Sequence, residues 1–169
     1  MYRGARDAIR LEEPWRDGTY FTAEGQRRRI ERTAAEESVR AFHIVRDGAI
    51  VGSIVLEDIV RDMRSSASMG FWVAPAARRS GVATEAVRLA VAHAFEALRL
   101  HTVIATIDVE NIASQRTVER NGLTAVGVLH DYAFINGRWR DHLLYERLAP
   151  ERRQGATASS GSGTALPDS

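Results

Sequence analysis

The stretch from Gly70 to Ala86, which reads GFWVAPAARRSGVATEA, constrains the fold more than any other part of the chain. Aromatic and β-branched residues predict a strand over residues 67–73, which Pro75 ends. Apolar residues at helical spacing predict a helix that begins near Val82 and runs towards Leu98. We therefore expect a strand, a tight loop and a helix to follow one another directly.

The loop between that strand and that helix, residues 76–81, has the properties of an anion site. The first amides of a helix have no intrahelical acceptor and lie at the positive end of the helix dipole. Phosphate is well suited to such a position. Gly81 lets the backbone approach a ligand closely, and Arg78 and Arg79 add positive charge. An ordinary turn with exposed arginines is equally compatible with the loop taken alone.

Periodicity and turn residues predict the other elements of the chain. Asp47-Gly48 and Asn136-Gly137 are both two-residue hairpin signals, since glycine supplies a positive φ. The predicted elements are a helix over 23–35 with Thr22 as its N-cap, strands over 41–46 and 49–56, a strand end and loop over 57–68, a strand over 102–109, a short helix over 114–121, and strands over 126–135 and 139–148.

The spacing Arg78-x-x-Gly81-x-Ala83 resembles the acyl-CoA pyrophosphate loop of the GNAT-type N-acetyltransferases. In that family the loop directly follows a strand and opens a helix, and the same context is predicted here. The chain is similar to the family from about Ala41 to Leu148, and only weakly before that.

Features further along resemble one branch of the family, the RimJ/RimL-like N-acetyltransferases, which modify ribosomal protein N-termini. The pattern from Asn111 to Ser114, followed by a helix that ends at Asn121-Gly122, looks like the corresponding segment of that branch. The C-terminal hairpin over residues 127–148 is also similar to it.

The resemblance implies an α/β (α+β) chain with the GNAT fold, a mixed and mostly antiparallel central sheet flanked by helices. The first strand of the family is missing or atypical in the polar first 20 residues, which suggests a truncated or misplaced start. We expect one acetyltransferase domain over residues 1–150, weakly matched over 1–40. The Gly/Ser-rich segment 151–169 is predicted to be a disordered tail.

By the same resemblance acetyl-CoA is the co-substrate, and its binding residues fall in two groups. Backbone groups of Trp72 and Val73 hold the pantetheine arm in the manner of an added strand, and an N–H near Val73 polarises the thioester. The pyrophosphate is bound by Arg78 and by the amides of Arg79, Ser80, Gly81, Val82, Ala83 and Thr84.

Two residues beyond the next strand have implied roles with structural alternatives. The Asn111 side chain can bond the pantetheine amides, or it can cap a helix. Ser114 occupies the position where Rim-type enzymes place a general acid for the CoA thiolate. A serine in the first turn of a helix can also be purely structural.

The general base is where the sequence departs from the family pattern. Rim-type enzymes can carry a glutamate at the position of Ala133. Asp131 lies two residues earlier, on the same face of an unbroken strand. Tyr145 is an alternative proton donor to the thiolate, although we favour core packing for it. A water chain to Glu57, Asp58 or Glu110 is a further option for the base.

Composition excludes several classes of function. The chain has no cysteine, so it has no disulfide, thiolate metal site or thiol nucleophile. Its five histidines form no ligand pattern, so we expect no metal. A net charge of +1 gives no case for direct nucleic-acid or membrane binding. No stretch approaches the roughly 20 apolar residues of a membrane span, and no signal peptide is recognised. We expect a cytoplasmic protein, as a monomer or a homodimer.

These observations predict an acetyl-CoA-dependent N-acetyltransferase acting on a primary amine, with a protein N-terminal amine as the favoured acceptor. A small-molecule amine is the alternative acceptor. A non-catalytic acyl-CoA-binding domain is a second alternative, favoured by the absence of a glutamate at Ala133. A structural protein whose loop binds no ligand is a third.

Overall fold

A computed structural model describes residues 22–150 of the chain. Three helices and six strands follow one another there: α1 (Ala23–Ala35), β1 (Arg40–Arg46), β2 (Ala49–Val60), β3 (Ser66–Val73), α2 (Val82–Glu96), β4 (Thr102–Asp108), α3 (Ile112–Arg120), β5 (Thr124–Ile135) and β6 (Arg138–Leu148). The predicted α/β class and nearly all predicted elements are confirmed. The expectations of a missing first strand and of a disordered tail fall outside the described residues.

The strands form one sheet in the order β1-β2-β3-β4-β6-β5. All neighbouring strands are antiparallel except β3 and β4, which are parallel and are joined by α2 as the crossover. The predicted mixed and mostly antiparallel sheet is therefore confirmed for this part of the chain.

The β1–β2 hairpin shows one prediction confirmed and another corrected. Asp47 and Gly48 have φ values of 49° and 74°, as a two-residue turn with both central residues left-handed requires. β2 does not end at residue 56, however, but continues to Val60. Asp58 adopts a φ of 50° at an irregularity in the pairing with β3. This bulge returns Ile59 to the core face, so β2 stays amphipathic after the two exposed residues Glu57 and Asp58.

The core lies between α2 and one face of the sheet. The helix buries Val87, Ala90, Val91 and Ala94, which recur at helical spacing. They belong to the same cluster as Leu56, Met69 and Val103 from the three central strands. Full burial of each large aliphatic side chain contributes about 1.5–3 kcal/mol, so this packing fixes α2 firmly against the sheet.

β3 and β4 separate towards their carboxyl ends. They are paired only over Ser66–Ser68 and Thr102–Ile104. β3 nevertheless stays paired with β2 as far as Val73, and β4 stays paired with β6 as far as Asp108. One edge of each strand therefore borders a gap between the two, and both strands lead into their loops at that same end of the sheet.

No helix between residues 22 and 150 is long and apolar enough to cross a membrane. Over that same range no group of three or more histidine, aspartate or glutamate side chains is placed to hold a metal ion.

Candidate active site

The loop after β3 curls back on itself to begin α2. A short 3-10 turn over Pro75–Ala77 follows the strand, and the Arg78 N–H donates to the Pro75 carbonyl. Arg79 and Gly81 then adopt φ values of 60° and 79°. Gly81 is the N-cap residue of the helix. The left-handed residues point successive backbone N–H groups to one side, which is how short loops form anion-binding concavities.

The amides of this loop are free to bind a ligand. Within residues 22–150, no N–H from Arg79 to Thr84 donates to a protein acceptor, and the first helical bond is from the Glu85 N–H to the Gly81 carbonyl at 3.1 Å. A Cβ atom on Gly81 would meet nothing within 4 Å, so the space beside this residue of the loop is open. The residues present therefore fit a bound pyrophosphate, since the row of donors lies at the positive end of α2.

Two side chains of the loop, those of Arg78 and Ser80, hydrogen-bond to nearby backbone carbonyls and so stabilise its conformation. Arg78 donates from Nε to the Val73 carbonyl at 3.3 Å, and the Ser80 hydroxyl donates to the Ala77 carbonyl at 2.7 Å. Arg79 is exposed and has no ion pair in the described part of the chain. Its guanidinium therefore adds positive charge beside the amides.

Trp72 and Val73 lie where β3 borders the gap. Val73 is buried, whereas the Trp72 side chain is half-buried and its indole Nε1 has no hydrogen-bond partner in the described residues. Gly52 of β2 lies opposite Val73, and a Cβ on Gly52 would collide with the Trp72 carbonyl oxygen. Glycine is thus needed at this close approach, which holds the last residues of β3 against β2 and leaves their other edge facing the gap.

Asn111 and Ser114 lie just past the end of β4, at the same end of the gap. The Asn111 Oδ1 accepts the Ser114 N–H at 3.1 Å, so Asn111 is the N-cap of α3. Its side-chain NH₂ donates to no acceptor between residues 22 and 150. Ser114 is half-buried, and its hydroxyl likewise has no partner in that range. The capping alternative for Asn111 is thus realised, and it leaves both the Asn111 amide and the Ser114 hydroxyl available to a ligand.

A charged network beneath this turn was not expected from the sequence. Arg140 of β6 donates from Nε and Nη2 to the two carboxylate oxygens of Asp108, both at 2.8 Å, and Nη2 also lies 2.8 Å from Glu110 Oε2. Burial alone raises the pKa of Asp108, but hydrogen bonds from Arg140 and from the Glu110 N–H outweigh it and lower that pKa. Asp108 and Arg140 are far apart in the chain, so the contact becomes visible only once β4 and β6 lie side by side.

Asp131 does not lie where an unbroken strand would put it. The register of β5 and β6 shifts between Leu129 and Ala133, and Asp131 has a φ of 47°. Its N–H donates to Asp141 Oδ1 at 2.9 Å, while its own side chain is exposed. The bulge breaks the strand alternation between Asp131 and Ala133, so alternation no longer supports placing the two side chains on the same face. Its role as a base stays a prediction without that support.

Tyr145 is buried in the core, with 1% of its surface exposed, and its hydroxyl donates to Glu119 Oε1 at 3.0 Å. Burial raises the pKa of this hydroxyl, and the Glu119 carboxylate raises it further. These contacts agree with the packing role that we favour for Tyr145. Its role as a proton donor stays a prediction.

The remaining candidates for the base are exposed. Asp58 lies at the bulge of β2, and Glu57 precedes it. The Glu110 side chain is 66% exposed and is paired with Arg140 and, at 3.5 Å, with Arg138.

Comparison with known proteins identifies the class. Residues 4–124 match the family described as Acetyltransferase (GNAT) domain. The chain belongs to this family and is an N-acetyltransferase of the GNAT type, as the spacing around Gly81 predicted.

Particular relatives refine the comparison. The chain is 34% identical over 140 residues to the Probable N-acetyltransferase YjcK of Bacillus subtilis (strain 168), covering 80% of this chain and 77% of YjcK. It is 26% identical over 102 residues to the ribosomal protein uS5-alanine N-acetyltransferase of Escherichia coli (strain K12), covering 60% and 53%. The structure of Mycobacterium smegmatis RimJ in complex with CoA-disulfide aligns with a TM-score of 0.80 and 28% identity, over 88% of this chain and 75% of RimJ. The RimJ/RimL-like resemblance is confirmed.

Proposed function

We propose that the chain transfers the acetyl group of acetyl-CoA to a primary amine, and that the acceptor is the N-terminal amine of a protein. One observation carries the proposal: the unpaired amides from Arg79 to Thr84, at the start of α2, border the gap between β3 and β4. An anionic cofactor with an extended, amide-containing arm suits both features. Membership in the GNAT family and the likeness to a CoA-bound RimJ support the same cofactor.

The backbone supplies most of the proposed cofactor contacts. The loop amides and the dipole of α2 take the pyrophosphate. The edge of residues 69–73 that faces the gap offers alternating N–H and C=O groups to the pantetheine arm, as a sheet edge does to an added strand. The Asn111 amide NH₂ donates to the same arm from the other side of the gap.

The transfer itself requires few further groups. The amine nitrogen forms a bond to the thioester carbon, and the carbon–sulfur bond breaks. An N–H near Val73 stabilises the negative charge that develops on the carbonyl oxygen. The Ser114 hydroxyl gives a proton to the departing thiolate and regains one, through water, from the nitrogen as it becomes an amide. The ammonium proton of the acceptor leaves through water or to a carboxylate, for which Asp131 remains our candidate.

Two observations favour a protein N-terminus over a polyamine as acceptor. The similarity to the uS5-alanine N-acetyltransferase and to RimJ supports a terminal amine, while 27% identity over 127 residues to the Spermidine N(1)-acetyltransferase of Escherichia coli (strain K12) makes a polyamine the second candidate. Asp108 and Glu110, the two carboxylates at the end of β4, are also already paired with Arg140. A polycation needs several unpaired carboxylates, whereas a single ammonium does not.

A thiol-release assay tests the proposal cleanly, because the chain has no cysteine of its own to react with the thiol reagent. The acceptor panel contains peptides that begin with alanine or serine, the same peptides with a blocked N-terminus, and small mono-, di- and polyamines. We expect CoA release with the free peptides and none with the blocked ones.

Other outcomes are equally informative. Turnover with small amines alone would contradict the N-terminal acceptor. Binding of acetyl-CoA in calorimetry without turnover on any amine would indicate a non-catalytic acyl-CoA-binding domain. Absence of binding would contradict the cofactor assignment itself.

A further inference from the structure

Asp108 accepts two hydrogen bonds within the turn between β4 and α3. Its Oδ1 accepts the Glu110 N–H at 2.7 Å, and its carbonyl oxygen accepts the Asn111 N–H at 2.9 Å. The Gln115 side chain reaches back from α3 and donates from Nε2 to the carbonyls of Asp108 and Val109, at 3.1 and 2.9 Å. Gln115 is itself buried, so the first turn of α3 cannot move without breaking these bonds.

Arg140 fixes Asp108 from the opposite strand. Its guanidinium meets the carboxylate through two parallel hydrogen bonds, and the two side chains are 16% and 18% exposed. Asp108 pairs with His142 across β4 and β6, so the contact joins the end of β4 to the part of the C-terminal hairpin near its Asn136-Gly137 turn. Such a fork has a defined plane and direction, which a single point contact between charges does not have.

The turn that this contact holds is the one that presents Asn111 and Ser114. Asn111 follows Asp108 by three residues and caps the helix on the Ser114 N–H. A change in the direction of the Asp108 carboxylate would tilt the turn and, through the cap, shift the Ser114 hydroxyl. A displacement of about 1 Å at a reacting group can cost 100-fold in rate.

We propose that Asp108 and Arg140 are positioning residues for this transferase: their fork holds Asn111 and Ser114 at the end of the gap, and so sets the turnover number without touching a substrate. This inference rests on the proposed function, because it assigns the purpose of the fork to acetyl transfer.

A double-mutant cycle separates positioning from simple stabilisation. Arg140→Lys keeps the charge but removes the fork. We expect it to lower kcat by about 10- to 100-fold, with the KM for acetyl-CoA changed by less than about threefold. In a Ser114→Ala background the same change should lower kcat by less than about twofold, since the proton donor that the fork positions is already gone and Asn111 makes only one of several proposed contacts to acetyl-CoA.

The matched control is Arg88→Lys. Arg88 forms the same kind of fork with Glu85, at 2.9 and 2.7 Å, but on the exposed face of α2. It should leave kcat within about twofold of wild type in both backgrounds, because exposed ion pairs contribute little. An equal loss of kcat from Arg140→Lys with and without Ser114, or no loss at all, would overturn the proposal.

Hydrogen exchange tests the same claim without turnover. In Arg140→Lys, peptides that cover residues 109–118 should exchange about tenfold faster, while those from β1 and β2 keep their wild-type rates. Unchanged exchange over 109–118 would overturn the positioning claim even if the protein acetylates amines. Conversely, a wild-type protein that acetylates no amine would contradict the proposed function, whatever the exchange shows. Asp108→Asn serves as the second variant from the other side of the fork.

Discussion

Gly81→Ala, compared with Gly48→Ala, offers the sharpest test of the loop. Gly81 begins α2 with a φ of 79°, and Gly48 lies in the β1–β2 turn with a φ of 74°. A Cβ on either residue would meet nothing within 4 Å. The two substitutions therefore impose the same backbone strain and differ only in where the new methyl group lies.

The expected magnitudes follow from that comparison. A left-handed conformation costs an L-residue about 1–2 kcal/mol, so both variants should lose about 1 kcal/mol of unfolding free energy. That corresponds to about 2–4 °C in Tm for a chain of this size. Only at Gly81 is the methyl group added next to the amides that we propose to bind phosphate. Loss of one or two hydrogen bonds to a charged group costs about 1.5–3 kcal/mol each, which weakens acetyl-CoA binding by at least about tenfold.

The assay is calorimetric titration with acetyl-CoA, together with thermal unfolding of wild type and both variants. An acetyl thioester of pantetheine, which has no pyrophosphate, provides a second ligand. Its affinity should be the same for wild type and Gly81→Ala, since it does not reach the loop amides. Gly81→Glu extends the series, because an added negative charge should abolish acetyl-CoA binding altogether.

Two results would refute the reasoning. If Gly81→Ala and Gly48→Ala both bind acetyl-CoA as wild type does, the loop amides are not the pyrophosphate site. If both weaken binding equally, the loss reflects general destabilisation and the argument from the position of Gly81 fails.

Three further predictions concern single side chains. Ser114→Ala should lower kcat by about 100-fold with acetyl-CoA affinity within a few-fold, if its hydroxyl protonates the thiolate; an unchanged kcat in steady-state kinetics would exclude that role. Tyr145→Phe should keep kcat and lose about 1 kcal/mol of stability in urea titration, since it removes only the bond to Glu119; a large loss of kcat would instead restore Tyr145 as the donor. The pKa of Asp108 is lowered in the folded state, so its contribution to stability is present above its ordinary pKa and is lost as the pH falls through the folded value. The stability gap between wild type and Asp108→Asn should accordingly shrink below about pH 4 in acid titrations, and a gap independent of pH would contradict the ion pair.

Local patterns predicted the parts of this fold that depend on neighbouring residues. Each of these patterns can be recognised in a short stretch of sequence. Examples are glycine in the two-residue turns, Thr22 before α1 and the apolar stripe of α2. The loop that we propose to bind acyl-CoA belongs to the same class, because its proposed function depends on backbone amides that a strand, a glycine and a helix start present together.

The parts that could not be predicted depend on pairing between distant strands. Nothing in the vicinity of Asp131 indicates that β5 bulges there, because the bulge is defined by its register against β6. The contact between Asp108 and Arg140 arises in the same way. Each reads as an ordinary charged residue at a strand end, and only the β4–β6 ladder brings the two together.

The short parallel ladder between β3 and β4 has a consequence for folding cooperativity. It divides the sheet into two antiparallel halves, β1-β2-β3 and β4-β6-β5, which α2 and three residues of each central strand hold together. A pantetheine arm bonded to both edges would link the halves as an extra strand does. A ligand at 100 times its Kd raises the free energy of unfolding by about 2.7 kcal/mol. We therefore expect the two halves of the sheet to unfold partly independently without acetyl-CoA and as one unit when it is bound. The resistance of this chain to proteolysis should then rise with the concentration of acetyl-CoA.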